Sequence, residues 1–260
     1  MHVVAIDYRP GPGEALAGEL AEVLGKSLYE ARARLSDPAG GPAVAATYAE
    51  IDPARDRAAR LRAGGFDTLL LSPEQVEVDS SRFLVRGFQL GERGLTVHSR
   101  QGQSTEIAYA DVVLLLRGVR PILQAETKTV EERKFSPARA ILSGGLIFTK
   151  TTRRTRQVTN EEREGFLHLY AAGKRPLALR ENALDYQSLG PALRPSVAAN
   201  FSHLLAELRR ACPGALYDER LAGRAGRARV LGPSLNPERH LDIAISVLAR
   251  VLRERLRGRS

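Results

Sequence analysis

Arginine is the residue best placed to do chemistry in this chain, and it is clustered. Lys150, Arg153, Arg154 and Arg156 share one threonine-rich stretch. Guanidinium and hydroxyl groups side by side suit phosphate oxygens. Arg220, Arg224 and Arg227, with Arg229 beside them, make a second patch, and their spacing puts them on one stripe of a helix expected from Asp218 to Leu231. Arg250, Arg253, Arg255 and Arg257 crowd the last expected helix, where part of their charge serves the helix dipole. Attraction of an anionic partner is the chemistry expected of Lys150, Arg153, Arg154, Arg156, Arg220, Arg224 and Arg227. None of the three clusters is interleaved with aromatic residues, as stacking on single-stranded bases would require.

Groups suited to catalysis do not assemble in the sequence. Gly11, Gly13 and Gly18 follow an apolar strand, but their spacing is wrong for a dinucleotide loop and Pro12 stiffens the turn. Gly25-Lys26-Ser27 looks like the end of a phosphate-binding loop, yet Leu20 stands where its first glycine belongs, and the triplet lies between helices. His2, His98, His168, His203 and His240 have no metal-ligand spacing. Glu131-Glu132 and Glu161-Glu162 are adjacent in sequence, so each pair splays apart. Cys212, the only cysteine, can form no internal bridge and has no neighbouring histidine to activate it, which reads as packing. No catalytic residue, metal or cofactor is assigned, and a non-enzymatic protein is the leading expectation. The enzymatic reading that stays open is a composite site joining His168 and the Arg180, Glu181, Asn182, Asp185, Tyr186 region to Asp218 and Glu219.

A chain of 260 residues points to two domains and needs no disulfide staple. The formal charge of +9, carried by 34 arginines and 5 lysines, favours an anionic partner. An acidic protein face, nucleic acid and lipid headgroups all qualify. No apolar run approaches the roughly 20 residues of a membrane helix, and the first residues lack a basic-then-apolar leader. A single cysteine fits a reducing compartment. A cytoplasmic protein without membrane insertion is therefore expected. Its oligomeric state is not legible.

The elements that must carry these residues follow from periodicity. His2 to Tyr8 reads as a strand, Glu14 to Leu24 and Ser27 to Leu35 as helices, and Pro42 to Ala49 as a strand. Asp52 is the expected cap of a third helix, with Pro53 at its first position and Gly64-Gly65 at its stop; Phe66 to Leu71 closes the unit. The division expected is a small α/β domain over 1–76, an α+β domain over 82–213, and helices over 214–260 packing on that second domain. In the middle, Phe83 to Leu90, Leu95 to Arg100 and Thr105 to Tyr109 alternate as strands with turn residues between them. Val112 to Leu116 extends the apolar run, and Gly165 to Ala171 and Pro176 to Arg180 form a later pair. Ser196 caps a helix with Val197, Phe201, Leu204, Leu205, Leu208 and Cys212 on one face. A polar insertion over 126–164, with a short helix from Ser136 and a brief strand from Leu146, reads as an exposed excursion. The final helix follows Asn236-Pro237, with Leu241, Ile245, Leu248 and Leu252 inward.

The runs LAEVLGKSLYEARARL, PAVAATYA and DPARDRAARLRAGGFDTLLL resemble two related families: the C-terminal domain of the bacterial ribosomal stalk protein, and the ClpS adaptor, which shares its fold. The likeness covers residues 2–72 and implies a β-α-α-β-α-β domain. ClpS-like adaptors hold a free amino terminus with an Asn-Asp pair before Tyr-Thr-Pro and a histidine after the second helix. Here Asp7, Tyr8 and Pro10 match, Ile6 replaces the asparagine, and 36–41 holds no histidine. On the lysine-bearing face that the stalk protein offers to translation GTPases, only Lys26 matches. The strand meander, its closing helix and the run Glu106 to Val112 (EIAYADV) resemble a pleckstrin-homology-like barrel in topology. The overall expectation is an α+β regulatory or adaptor protein that binds another macromolecule, another protein first, through basic surfaces. Backbone-directed nucleic-acid binding is the alternative.

Overall fold

Alternate residues of the first strand enter two different cores, which explains why nearly every one is apolar. In the computed structural model, which describes residues 1–9, 13–35, 37, 40–135 and 149–258 (side chains except at 13–14 and 123–162), β1 is His2–Tyr8. It is followed by α1 (Gly13–Leu24), α2 (Leu28–Arg34), β2 (Gly41–Tyr48), α3 (Ile51–Ala63) and β3 (Asp67–Leu71). The three strands form a sheet ordered β2-β1-β3, with β1 antiparallel to both neighbours. Val4, Ile6 and Tyr8 meet Leu20, Ala31, Ala54, Ala58 and Leu61 of the three helices. Val3 and Ala5 face the other way, with Val44, Leu69 and Leu71. Ser27 caps α2 in a reciprocal box with Glu30. The expected cap of α3 is corrected: Glu50, not Asp52, occupies that position, and Pro53 lies third in the helix, still within the turn whose N–H groups need no partner.

The second sheet comprises β4 (Phe83–Leu90), β5 (Gly94–Ser99), β6 (Ser104–Ala108), β7 (Val112–Phe135), β8 (Thr149–Ala171), β9 (Leu177–Arg180) and β10 (Leu216–Leu221). Its order is β10-β7-β8-β9-β4-β5-β6. β4 is antiparallel to β5 and parallel to β9, and β10 is parallel to β7. Helix α4 (Val197–Ala211), capped by Ser196 as expected, presses Phe201, Leu204, Leu205 and Leu208 onto Val85, Val97, Ile107, Leu167 and Leu179. Cys212 lies in the same core, and burial pushes its thiol up to about 11, so it remains protonated and inert.

Two further helices follow, α5 (Arg224–Leu231) and α6 (Leu241–Arg257). The expected inward face of α6 is only half of what the helix buries. Ile243, Ala244, Ile245, Val247, Leu248, Ala249, Val251 and Leu252 are all buried. One side meets the β1 face carrying Val3 and Ala5; the other meets Leu114 and Leu116 of β7 and Phe166 and Tyr170 of β8. Residues 243–249 are buried without interruption, as in a helix segment sandwiched between layers.

Two expectations change. Asp218 to Leu231 is not one helix: residues 216–221 pair with β7, and only the stretch after Gly223 is helical. The polar run Lys150 to Glu164 is not a loop but lies within β8, consistent with its threonine and valine content. The short helix expected from Ser136 and the strand expected from Leu146 fall outside the described residues up to Thr149. The fold class is α+β. Met1–Arg120 with Glu164–Ser260 forms one compact unit, and Pro121–Arg163 forms a second. Among the described residues, no helix is long and apolar enough to cross a membrane.

Candidate functional site

Strand alternation splits the second sheet into an inner and an outer face. Phe83 and Val85, Leu177 and Leu179, and Leu167 and Leu169 point into the α4 core. Leu84 and Arg86 of β4, Ala178 and Arg180 of β9, and Phe166, His168 and Tyr170 of β8 therefore share the opposite face. Register aligns them: Leu84 is beside Ala178, Ala178 beside His168, and Arg180 beside Phe166. Over β8 this outer face is covered by α6. Over β9 and β4 it opens into a cleft of about 790 Å³, lined by Arg82, Arg86, Arg100, Arg175 and Arg180 with a single carboxylate, Asp79.

The base of the cleft is an ionic network. Arg82 is 2% exposed and reaches Asp242 at 2.9 Å, Asp79 at 3.5 Å and Glu77 at 3.8 Å, while also donating to the Glu77 carbonyl. Asp79 is shared with Arg180 and, at 3.9 Å, with Arg120. Burial alone would raise the Asp79 carboxyl, but the Arg180 hydrogen bond and the charges of Arg180, Arg120 and Arg82 hold it below its usual range. Glu77 accepts the Tyr170 hydroxyl at 2.8 Å; burial and then the Glu77 charge raise that phenol well above its ordinary value. Ser246 ties the network to α6, accepting from the Glu77 N–H and donating to the Asp242 carbonyl. Charges here cancel one another, so this layer builds the site without offering a charge to a ligand.

The rim differs. Arg86 donates to the Ala183 carbonyl, and Arg175 donates to the Ser80 and Ser81 carbonyls. A carbonyl oxygen orients a guanidinium without cancelling its charge. Arg100 is exposed at the β5–β6 turn, which Ser99 shapes by accepting from the N–H groups of Gln101 and Gln103 at 3.2 Å each. Among the described residues, none of these three arginines has a carboxylate partner.

The residues expected from sequence are dispersed. Lys150, Arg153, Arg154 and Arg156 lie in β8 by backbone, and their side chains lie outside the described residues. Arg220 is on β10, chelated by Asp218 at 2.8–2.9 Å. Arg227 is 2% exposed, donating to the Val119 carbonyl and to Glu238 at 3.1 Å. Arg224 alone of the three is exposed, at the first position of α5. The expected stripe is thus replaced by one strand residue, one surface residue and one buried ion pair. Of the composite enzymatic set, only Arg180 lines the cleft; Asp218 pairs with Arg220, and Glu181 accepts from the Gly165 N–H at 2.8 Å. No three histidine, cysteine or acidic residues among those described are placed to hold a metal ion.

His168 marks the border between the covered and the open part of this face. It is 3% exposed, it packs on Phe166, and its Nδ1 has no hydrogen-bond partner. Burial, followed by the charges of Arg82, Arg180 and Arg120, lowers its pKa well below the ordinary value. The folded protein keeps this imidazole neutral, whereas the unfolded chain protonates it below pH about 6.5, so stability falls as pH drops through that value. While the folded imidazole stays neutral, the loss approaches about 1.36 kcal/mol for each pH unit below that value. Asp79 contributes in a separate window, below about pH 4. Urea unfolding of the His168→Leu variant should show a flatter pH dependence over 6.5 to 5 than the parent; parallel curves would refute this assignment. In comparisons with known proteins, no family model, curated protein or solved structure matches the chain.

Proposed function

We propose that the chain is a non-enzymatic regulatory or adaptor protein that holds an anionic stretch of another macromolecule in the arginine-lined cleft. One observation carries this reading: Arg86, Arg100 and Arg175 open onto one surface with their charges uncancelled, above a base whose charges are internally matched. A binding role is supported over a catalytic one because the lining contains no histidine or cysteine, and its one carboxylate is tied to three arginines.

Magnitudes favour a macromolecule over a small anion. Exposed ion pairs contribute about 0–1 kcal/mol each. Three of them fall short of the roughly 4 kcal/mol that millimolar affinity requires. Useful affinity therefore needs several anionic groups on one chain, engaged together. Binding of fluorescent poly-glutamate, followed by anisotropy, should weaken as ionic strength rises. Replacing Arg86, Arg100 and Arg175 with serine should lower affinity about tenfold or more, at up to about fivefold per lost pair. Arg224→Ser, away from the cleft, should leave it unchanged. Equal affinity of parent and triple variant would remove the cleft from consideration.

A further inference from the structure

Part of the cleft lining is apolar. Leu84 is 40% exposed, the only large apolar side chain among the cleft residues to be so. A lone exposed leucine on a protein surface needs no explanation. This one stands on the outer sheet face two residues from Arg86 and lines the same cleft as Arg100 and Arg175. The polar lining adds neutral donors and acceptors, Gln101 and Gln103.

We infer that the occupant is an extended acidic peptide segment carrying one apolar side chain, which seats against Leu84 while flanking carboxylates engage Arg86, Arg100 and Arg175. This rests on the binding role proposed above and specifies its partner class. Charge complementarity selects an acidic occupant, and the exposed Leu84 separates a peptide from a nucleic-acid strand. A strand of bases would want exposed aromatic platforms. The only aromatic residue in the lining, Phe83, is buried in the α4 core. β4 has no free edge here to add the peptide as a strand: β9 pairs at Phe83 and Leu84, the Asp185 N–H bonds the Arg86 carbonyl, and β5 takes the other side. Recognition is therefore through side chains.

The test compares three labelled probes on the full chain: an acidic peptide of glutamate, glycine and serine, the same peptide with one central leucine, and an oligo-deoxythymidine strand. The leucine peptide should bind the parent protein about tenfold more tightly than its apolar-free counterpart, and Leu84→Ser should erase that advantage while both peptides still bind. Leu84 is solvent-facing, so the variant folds, which its unfolding midpoint verifies. An advantage that survives Leu84→Ser, or that never exists, overturns the apolar seat and leaves the binding role standing. Failure of both peptides overturns the binding role itself. Oligo-deoxythymidine binding more tightly than either peptide replaces the peptide class with single-stranded nucleic acid.

Discussion

Arg82→Leu should lower the unfolding free energy by about 3 kcal/mol, the lower end of the range for breaking a buried ion pair. Arg82 is almost fully enclosed, and its removal takes the guanidinium from Asp242 and Glu77 and leaves Asp79 only Arg180 and Arg120. Asp79 and Asp242 are each about half exposed, so water takes over part of the lost interaction and the full upper value is not reached. The guanidinium also satisfies the Glu77 carbonyl, which a leucine cannot do. With a urea dependence of about 1–3 kcal/mol per molar, the midpoint should fall by 1 M or more. Arg82→Lys should recover only part, since an ammonium cannot span three acceptors in one plane. A loss under 1 kcal/mol would show that the network is already solvated and does not join β4 to α6.

Gly226→Ala should destabilise by about 2–3 kcal/mol or more, although the same exchange in an open helix gains about 1 kcal/mol. Gly226 lies in α5, and a Cβ there would overlap the Arg220 backbone carbonyl of β10. A backbone atom cannot swing aside as a side chain can, so α5 must lift away from the strand. Gly18 supplies the contrast. It lies within α1 with nothing near the position of an added Cβ, so Gly18→Ala should stabilise by up to about 1 kcal/mol. Thermal unfolding of both variants decides the matter: a Gly226→Ala protein as stable as its parent would mean that α5 does not dock closely on β10.

Much of the fold was legible where local rules suffice. The strand His2–Tyr8, the Ser27 cap, the α4 stripe from Phe201 to Leu208 and the β4–β5–β6 meander each follow from periodicity or turn chemistry close in sequence. β10 was missed because its residues, LYDERL, acquire strand character from their parallel partner β7, which no local pattern announces. The arginine cleft was missed for a related reason. Alternation alone places Arg86 outward, and Arg100 and Arg175 stand at recognisable turns. What gathers them is the parallel pairing of Phe83 and Leu84 with Leu177 and Ala178, a contact between segments remote in the chain. Conversely, Asp218 was legible as a local acid able to pair with the Arg220 patch, whereas Arg227 looked available as a charge because Glu238 could be assigned to it only once the loop before α6 was in place.

The doubly covered helix α6 bears on how the chain is made. It is synthesised after both of the sheets it joins, so a nascent chain has already exposed Val3, Ala5, Leu69 and Leu71 on one surface and Leu114, Leu116 and Phe166 on another before their common cover emerges. Each half-finished layer is sticky until then. Translation must therefore run past Leu252 before either layer can shed water from that side, which ties maturation of β1 and β3 to residues 241–257.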